Sequence, residues 1–98
     1  MAAVIGEEFD RVDILINNAG YLVNKPILET TQADIRDVYA TNVTGLIASC
    51  QAVIPLMKNG GHIVNIGSVG GVQGSVKFPG ISIYSSSKAA VAGFTECL

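Results

Sequence analysis

Two short runs rich in β-branched residues, positions 12–16 and 62–66, stand on either side of a long stretch whose apolar side chains recur every three or four residues. A short apolar run suits a strand buried on both faces of a parallel sheet. Two parallel strands need a crossover of a dozen or more residues between them, usually a helix. The intervening stripe supplies one: Ile35, Val38 and Tyr39, then Leu46, Ile47, Cys50, Val53, Ile54 and Met57 carry the spacing of a single helix face. Tyr39 is assigned to the core on this pattern. A further helix-prone segment runs from Tyr84 through Lys88, Ala89, Ala90, Ala92 and Phe94 to Leu98. The expected fold class is α/β: a βαβ core, right-handed by the usual rule, forming an incomplete part of a doubly wound parallel sheet.

Local breaks divide these elements. The first strand stops at Asn17-Asn18-Ala19-Gly20, and small or polar residues directly after an apolar strand suit a ligand crevice at the carboxyl edge of a parallel sheet. Positions 21–29 read as loop, and Thr31 with Asp34 three residues later resembles a capping arrangement. Between Ala40 and Gly45 the stripe falters. Thr41, Asn42, Thr44 and Gly45 are poor helix-interior residues, so a kink is expected there, with a second bend at Pro55. Asn59-Gly60-Gly61 is expected to close that helix. Positions 67–83, with five glycines or prolines between Gly70 and Gly80, read as loop. Val4, Ile5 and Phe9 among Glu7, Glu8 and Asp10 read as the last turns of an earlier helix.

Composition narrows the function. The chain has 98 residues, enough for at most one domain. Hydrophobic residues make up 49% and charged residues 14%, a balance that excludes a disordered tail. The formal charge is −2, with no basic run, which argues against nucleic acid or an anionic membrane as partner. No apolar stretch reaches the roughly 18 residues of a membrane span, and no signal-peptide pattern opens the chain. Cys50, Cys97 and the lone His62 lack metal-site spacing. No metal is expected, and a reduced, cytoplasmic setting is.

Four side chains are candidates for chemistry. Tyr84 and Lys88, four apart on a helix, fall on one face. A free phenol has a pKa of about 10, and a nearby ammonium favours its phenolate form. The same spacing also suits a half-buried ring beside a solvated charge. Ser68 sits where the second strand reaches the carboxyl edge, so its hydroxyl can donate to a substrate oxygen or simply start a turn; Ser75 is a second serine in the same loop. Asn42 lies in the faltering part of the long helix, where an amide commonly satisfies loose backbone groups. Gly67, Gly70, Gly71 and Gly74 match neither phosphate-loop spacing and read as flexible wall.

Taken together and in order, Asn17-Asn18-Ala19-Gly20, Asn42-Val43-Thr44-Gly45, Ile63-Val64-Asn65-Ile66-Gly67-Ser68 and Tyr84-Ser85-Ser86-Ser87-Lys88 closely resemble the short-chain dehydrogenase/reductase family, from about Val12 to Leu98. The resemblance implies that residues 1–98 are the central part of one NAD(P)-binding Rossmann domain of the compact single-domain branch. It makes Tyr84 the general acid/base toward a substrate hydroxyl or carbonyl. Lys88 would hold the nicotinamide ribose and assist Tyr84, Ser68 would polarise the substrate oxygen, and Asn42 would anchor a relay water. Asn18, Ala19 and Gly20 would border the adenine-ribose side of the cofactor and steady the sheet.

The cofactor implied is NAD or NADP, the partner a small alcohol or ketone, and the parent a homo-oligomer. The glycine-rich turn that places pyrophosphate on a helix N-terminus is not found in this sequence. Val76-Lys77-Phe78 resembles an insertion between Ser68 and Tyr84, which keeps Ser75 open as the catalytic serine. Two readings follow. In one, the chain is an excerpt of an active oxidoreductase. In the other, it is a truncated and inactive product that docks by exposed sheet edges and is marginally stable alone.

Overall fold

The computed structural model describes residues 11–74 and 79–98. The helical turns expected before Arg11, Ser75 and the insertion-like Val76-Lys77-Phe78 lie outside them. Within the described residues the order is β1 (Ile14–Asn17), α1 (Gln32–Tyr39), a π-turn (Ala40–Thr44), α2 (Gly45–Val53), β2 (His62–Asn65) and α3 (Ser82–Cys97). Single 3-10 turns occupy Ile27–Glu29, Ile54–Leu56 and Val69–Gly71.

The two strands pair in parallel, with Leu15 opposite Ile63 and Ile16 opposite Val64. The ladder continues past both ends, where His62 N–H donates to Asp13 and Ile66 N–H to Asn17. Side chains alternate between faces of a strand, and among the described residues only one face is covered. Leu15 and Ile63 pack with Ile47 and Phe94 against the buried Leu46, Cys50 and Val91 of α2 and α3. Ile14 and Ile16, 58% and 61% exposed, and Val64 and Ile66, 44% and 43%, occupy the other. The first strand was expected to be buried on both faces. That expectation fails among the described residues because the core is built from α2 and α3 on the Leu15/Ile63 side.

Sequence chemistry explains the helix boundaries. Thr31 and Asp34 form a reciprocal capping box at the start of α1, each side chain accepting the other's backbone N–H. The expected kink is a π-turn: Gly45 N–H reaches back five residues to the Ala40 carbonyl. A Cβ at Gly45 would lie 2.9 Å from that carbonyl oxygen, so this closure requires glycine. Pro55 sits in the 3-10 turn after α2, so the helical path ends at Leu56, before the expected Asn59-Gly60-Gly61. The last helix begins at Ser82, two residues before Tyr84. Tyr39 is half-buried and not core: its hydroxyl meets Ser86 Oγ at 2.7 Å.

The strand ends are stitched to the helices by amides. Asn17 and Asn65 face each other in the register, and Asn17 Nδ2 donates to Asn65 Oδ1 at 2.9 Å. Asn65 Nδ2 then donates to Thr95 Oγ1 of α3 at 2.9 Å. This chain of side chains holds the carboxyl edge of the sheet against the helix that carries Tyr84 and Lys88.

Candidate active site

Tyr84 and Lys88 occupy successive turns of α3, and the Lys88 ammonium lies 5.8 Å from the centre of the Tyr84 ring. Lys88 is only 6% exposed. Its Nζ donates to the Ile66 carbonyl, just past β2, at 3.1 Å. Among the described residues no carboxylate pairs with it. An ammonium has three donors, and burying it with one carbonyl acceptor leaves donors that a ligand hydroxyl can take up. Gly20 keeps the neighbouring space free of side chain: a Cβ there would stand 3.8 Å from Lys88 Nζ and 3.9 Å from Asn42 Oδ1.

Asn42 sits within the π-turn and is 1% exposed. Its Oδ1 accepts the Tyr21 N–H at 2.8 Å, and its Nδ2 donates to the Tyr21 carbonyl at 2.9 Å and to Ser87 Oγ at 3.0 Å. Both amide hydrogens are therefore used. Ser87, fully buried, donates in turn to the Tyr84 carbonyl at 2.6 Å. These bonds tie the π-turn to the main chain of Tyr21, in the loop after β1.

Ser68 follows β2 by three residues and caps the Val69–Gly71 turn, its Oγ accepting the Gly70 N–H at 3.1 Å. That turn packs tightly on α3: a Cβ at Gly71 would fall 2.7 Å from the Lys88 carbonyl carbon. The structure thus brings Gly20, Asn42, Tyr84 and Lys88 into one cluster, and Ser68 caps the turn whose Gly71 packs on Lys88. Asn18 and Ala19 instead line a hollow of about 360 Å³ with Leu15, Thr41, Leu46 and Ser49. Neither Tyr84 nor Lys88 borders it.

The loop between β1 and α1 is strapped to the same region. Lys25 N–H donates to the Gly80 carbonyl at 2.8 Å, and the Lys25 ammonium pairs with Asp34 at 2.8 Å. Hydrogen bonding from Lys25, then from the Thr31 backbone, holds the Asp34 carboxyl below the usual range. The same bond raises Lys25. Gly80 has φ +87°, and a Cβ there would run into the Asn24 amide.

Sequence reasoning missed Ser87, the Tyr21 backbone and the Ile66 carbonyl. The two backbone partners carry no residue-type signal. Ser87 was legible only as one of three consecutive serines, though its place before Lys88 and one turn after Tyr84 was available.

The family model described as short chain dehydrogenase matches residues 1–98. The chain is 43% identical over 95 residues to the 2-(R)-hydroxypropyl-CoM dehydrogenase of Xanthobacter autotrophicus, covering 92% of this chain and 37% of that protein. It is 39% identical over 97 residues to the 3-ketodihydrosphingosine reductase of Bacteroides thetaiotaomicron, covering 97% and 35%. Among solved structures, a gluconate 5-dehydrogenase from Burkholderia cenocepacia, in complex with NADP and tartrate, superposes with a TM-score of 0.89 at 28% identity, over 98% of this chain and 37% of that one. The chain belongs to the short-chain dehydrogenase/reductase family, and its parallel βαβ core is part of that family's Rossmann fold. It spans less than two fifths of the length of these relatives.

Proposed function

We propose that this sequence supplies the proton-exchange side of an NAD(P)-dependent oxidoreductase that interconverts an alcohol and a ketone. The observation that carries the reading is the buried Lys88 ammonium, which sits over the Tyr84 ring with the Ile66 carbonyl as its acceptor and with free space at Gly20 beside it. An isolated buried cation is costly, and a ribose diol is a ligand that would take up its remaining donors. The residues present therefore fit NAD or NADP, with Lys88 and Tyr84 on the nicotinamide-ribose side. Asn18 and Ala19, which line the separate hollow, are the candidates toward the adenine ribose, whereas Gly20 borders Lys88. The bound dinucleotide supplies the hydride chemistry.

The chain's own residues manage the proton and the geometry. Tyr84 Oη gives its proton to a ketone oxygen in reduction and takes one from the hydroxyl in oxidation. Lys88, one turn further on, sets its ammonium beside the Tyr84 ring and is the candidate to hold the nicotinamide ribose. Ser68 at the turn after β2 orients the substrate oxygen. Asn42 has one Oδ1 lone pair beyond those its three hydrogen bonds engage, so it can hold a relay water without releasing Tyr21.

The deciding experiment is Tyr84→Phe in the full-length protein, with turnover and cofactor binding measured side by side. Loss of turnover by roughly a hundredfold or more, with cofactor affinity kept within a few fold, is the expected result. Near-normal turnover removes Tyr84 from the role.

A further inference from the structure

Asn42 has a fixed orientation. Its Oδ1 must face the Tyr21 N–H and its Nδ2 the Tyr21 carbonyl, because the reverse would set donor against donor and acceptor against acceptor. The second Nδ2 hydrogen then points to Ser87 Oγ. Ser87 has one proton, and it is spent on the Tyr84 carbonyl at 2.6 Å. The donors in this chain run one way: Asn42 into Ser87, Ser87 into Tyr84. Ser87 is 0% exposed and Asn42 1%.

The consequence is positional. The Tyr21 end links to the loop after β1, and the Tyr84 end to the turn of α3 that bears Tyr84 and Lys88. Ser86, the neighbouring residue, is exposed and contacts Tyr39 and the Ile83 carbonyl. The adjacent Ser86 and Ser87 therefore differ sharply in role. We propose that Ser87 is a positioning residue for the reaction, fixing the Tyr84/Lys88 turn against the Asn42 amide. It touches neither substrate nor cofactor and acts through the place it gives Tyr84. The inference rests on the proton-exchange role proposed for Tyr84.

The test is a graded series in the full-length protein: Ser87→Cys, a poor acceptor of nearly the same shape, and Ser87→Ala, which accepts nothing. Ser86→Ala is the control. Turnover number and KM for cofactor and for alcohol are measured on folded protein. Small misplacements of a reacting group cost up to about a hundredfold, so kcat is expected to fall roughly tenfold or more in Ser87→Ala and less in Ser87→Cys. Both KM values should stay within about twofold, and Ser86→Ala should match wild type. A purely structural serine would lower the melting temperature and leave kcat of the folded enzyme unchanged, and that result overturns the inference. If Ser87→Ala does not fold, Ser87→Cys decides by the same split. Tyr84→Phe is run in parallel. Full activity in Tyr84→Phe overturns the reaction assignment, whereas a dead Tyr84→Phe beside an unimpaired Ser87 series overturns the positioning role alone.

Discussion

Replacing Asn42 by aspartate is the sharpest perturbation of the polar chain, because it preserves shape and exchanges two donors for acceptors. In the ionised variant one carboxylate oxygen would face the Tyr21 carbonyl at the 2.9 Å now spanned by an amide N–H, and Ser87 Oγ at 3.0 Å would lose its donor. Each buried group left unpaired costs about 1–3 kcal/mol, so the two together cost roughly 2–6 kcal/mol. Ser87 can turn its proton to the carboxylate and recover part of this, but only by abandoning the Tyr84 carbonyl. A net loss of about 3 kcal/mol at neutral pH is therefore expected.

Burial raises the folded-state pKa of such a carboxyl above its unfolded value of about 3.9. The deficit then grows as pH rises from the unfolded pKa and is complete above the folded one. Below it, the protonated acid keeps one donor and pairs with either Tyr21 or Ser87. The assay is urea unfolding of the full-length wild type and Asn42→Asp at about pH 8 and about pH 5, with the larger deficit expected at the higher pH. Equal deficits at both, or a loss under about 1 kcal/mol at the higher pH, would refute the claim that both amide hydrogens are committed inside the protein.

Two further outcomes follow from the contacts around the site. Gly71→Ala would press a Cβ to 2.7 Å from the Lys88 carbonyl carbon and 2.8 Å from Ala89 N; a loss of about 1–3 kcal/mol and weaker cofactor binding are expected by thermal melting and cofactor titration. Gly67→Ala, with nothing within 4 Å, serves as its neutral comparison. Asp34→Asn keeps an acceptor for the Thr31 N–H and removes the ion pair with Lys25. Because the Asp34 pKa is depressed and that of Lys25 raised, the pair's contribution is present between their unfolded values. It is lost as pH falls through the folded pKa of Asp34 and as it rises through that of Lys25. The variant should melt below wild type near neutral pH and converge with it in acid.

The crossover architecture was legible because strand and helix leave different periods in the sequence. Residues 12–16 and 62–66 are short, β-branched-rich apolar runs of strand length, whereas the apolar residues from Ile35 to Met57 recur every three or four positions. The kink was legible too, since Thr41, Asn42, Thr44 and Gly45 disfavour a regular helix, but its form as a π-turn depends on the approach of Gly45 to the Ala40 carbonyl. Apolar runs show that a strand seeks burial and not which face obtains it, so the bare side carrying Ile14, Ile16, Val64 and Ile66 had no sequence signal. Of the candidate site, the Tyr84/Lys88 pair came from helical spacing. Its partners, the Tyr21 backbone and the Ile66 carbonyl, came only from folding the loop and the strand end together.

The flaw in the long helix and the organisation of the site are therefore one feature. Joining α1 to α2 through a π-turn gives up regular i to i−4 bonding around Asn42, and such departures cluster at functional sites. The return is specific. Asn42 is buried with all three of its side-chain hydrogen bonds made outside its own helix, to the Tyr21 backbone and to Ser87. The Val69–Gly71 turn approaches α3 from β2 and meets it at Lys88. Loop, π-turn and strand end thus converge on two successive turns of α3, and their shared target is the backbone that carries Tyr84 and Lys88.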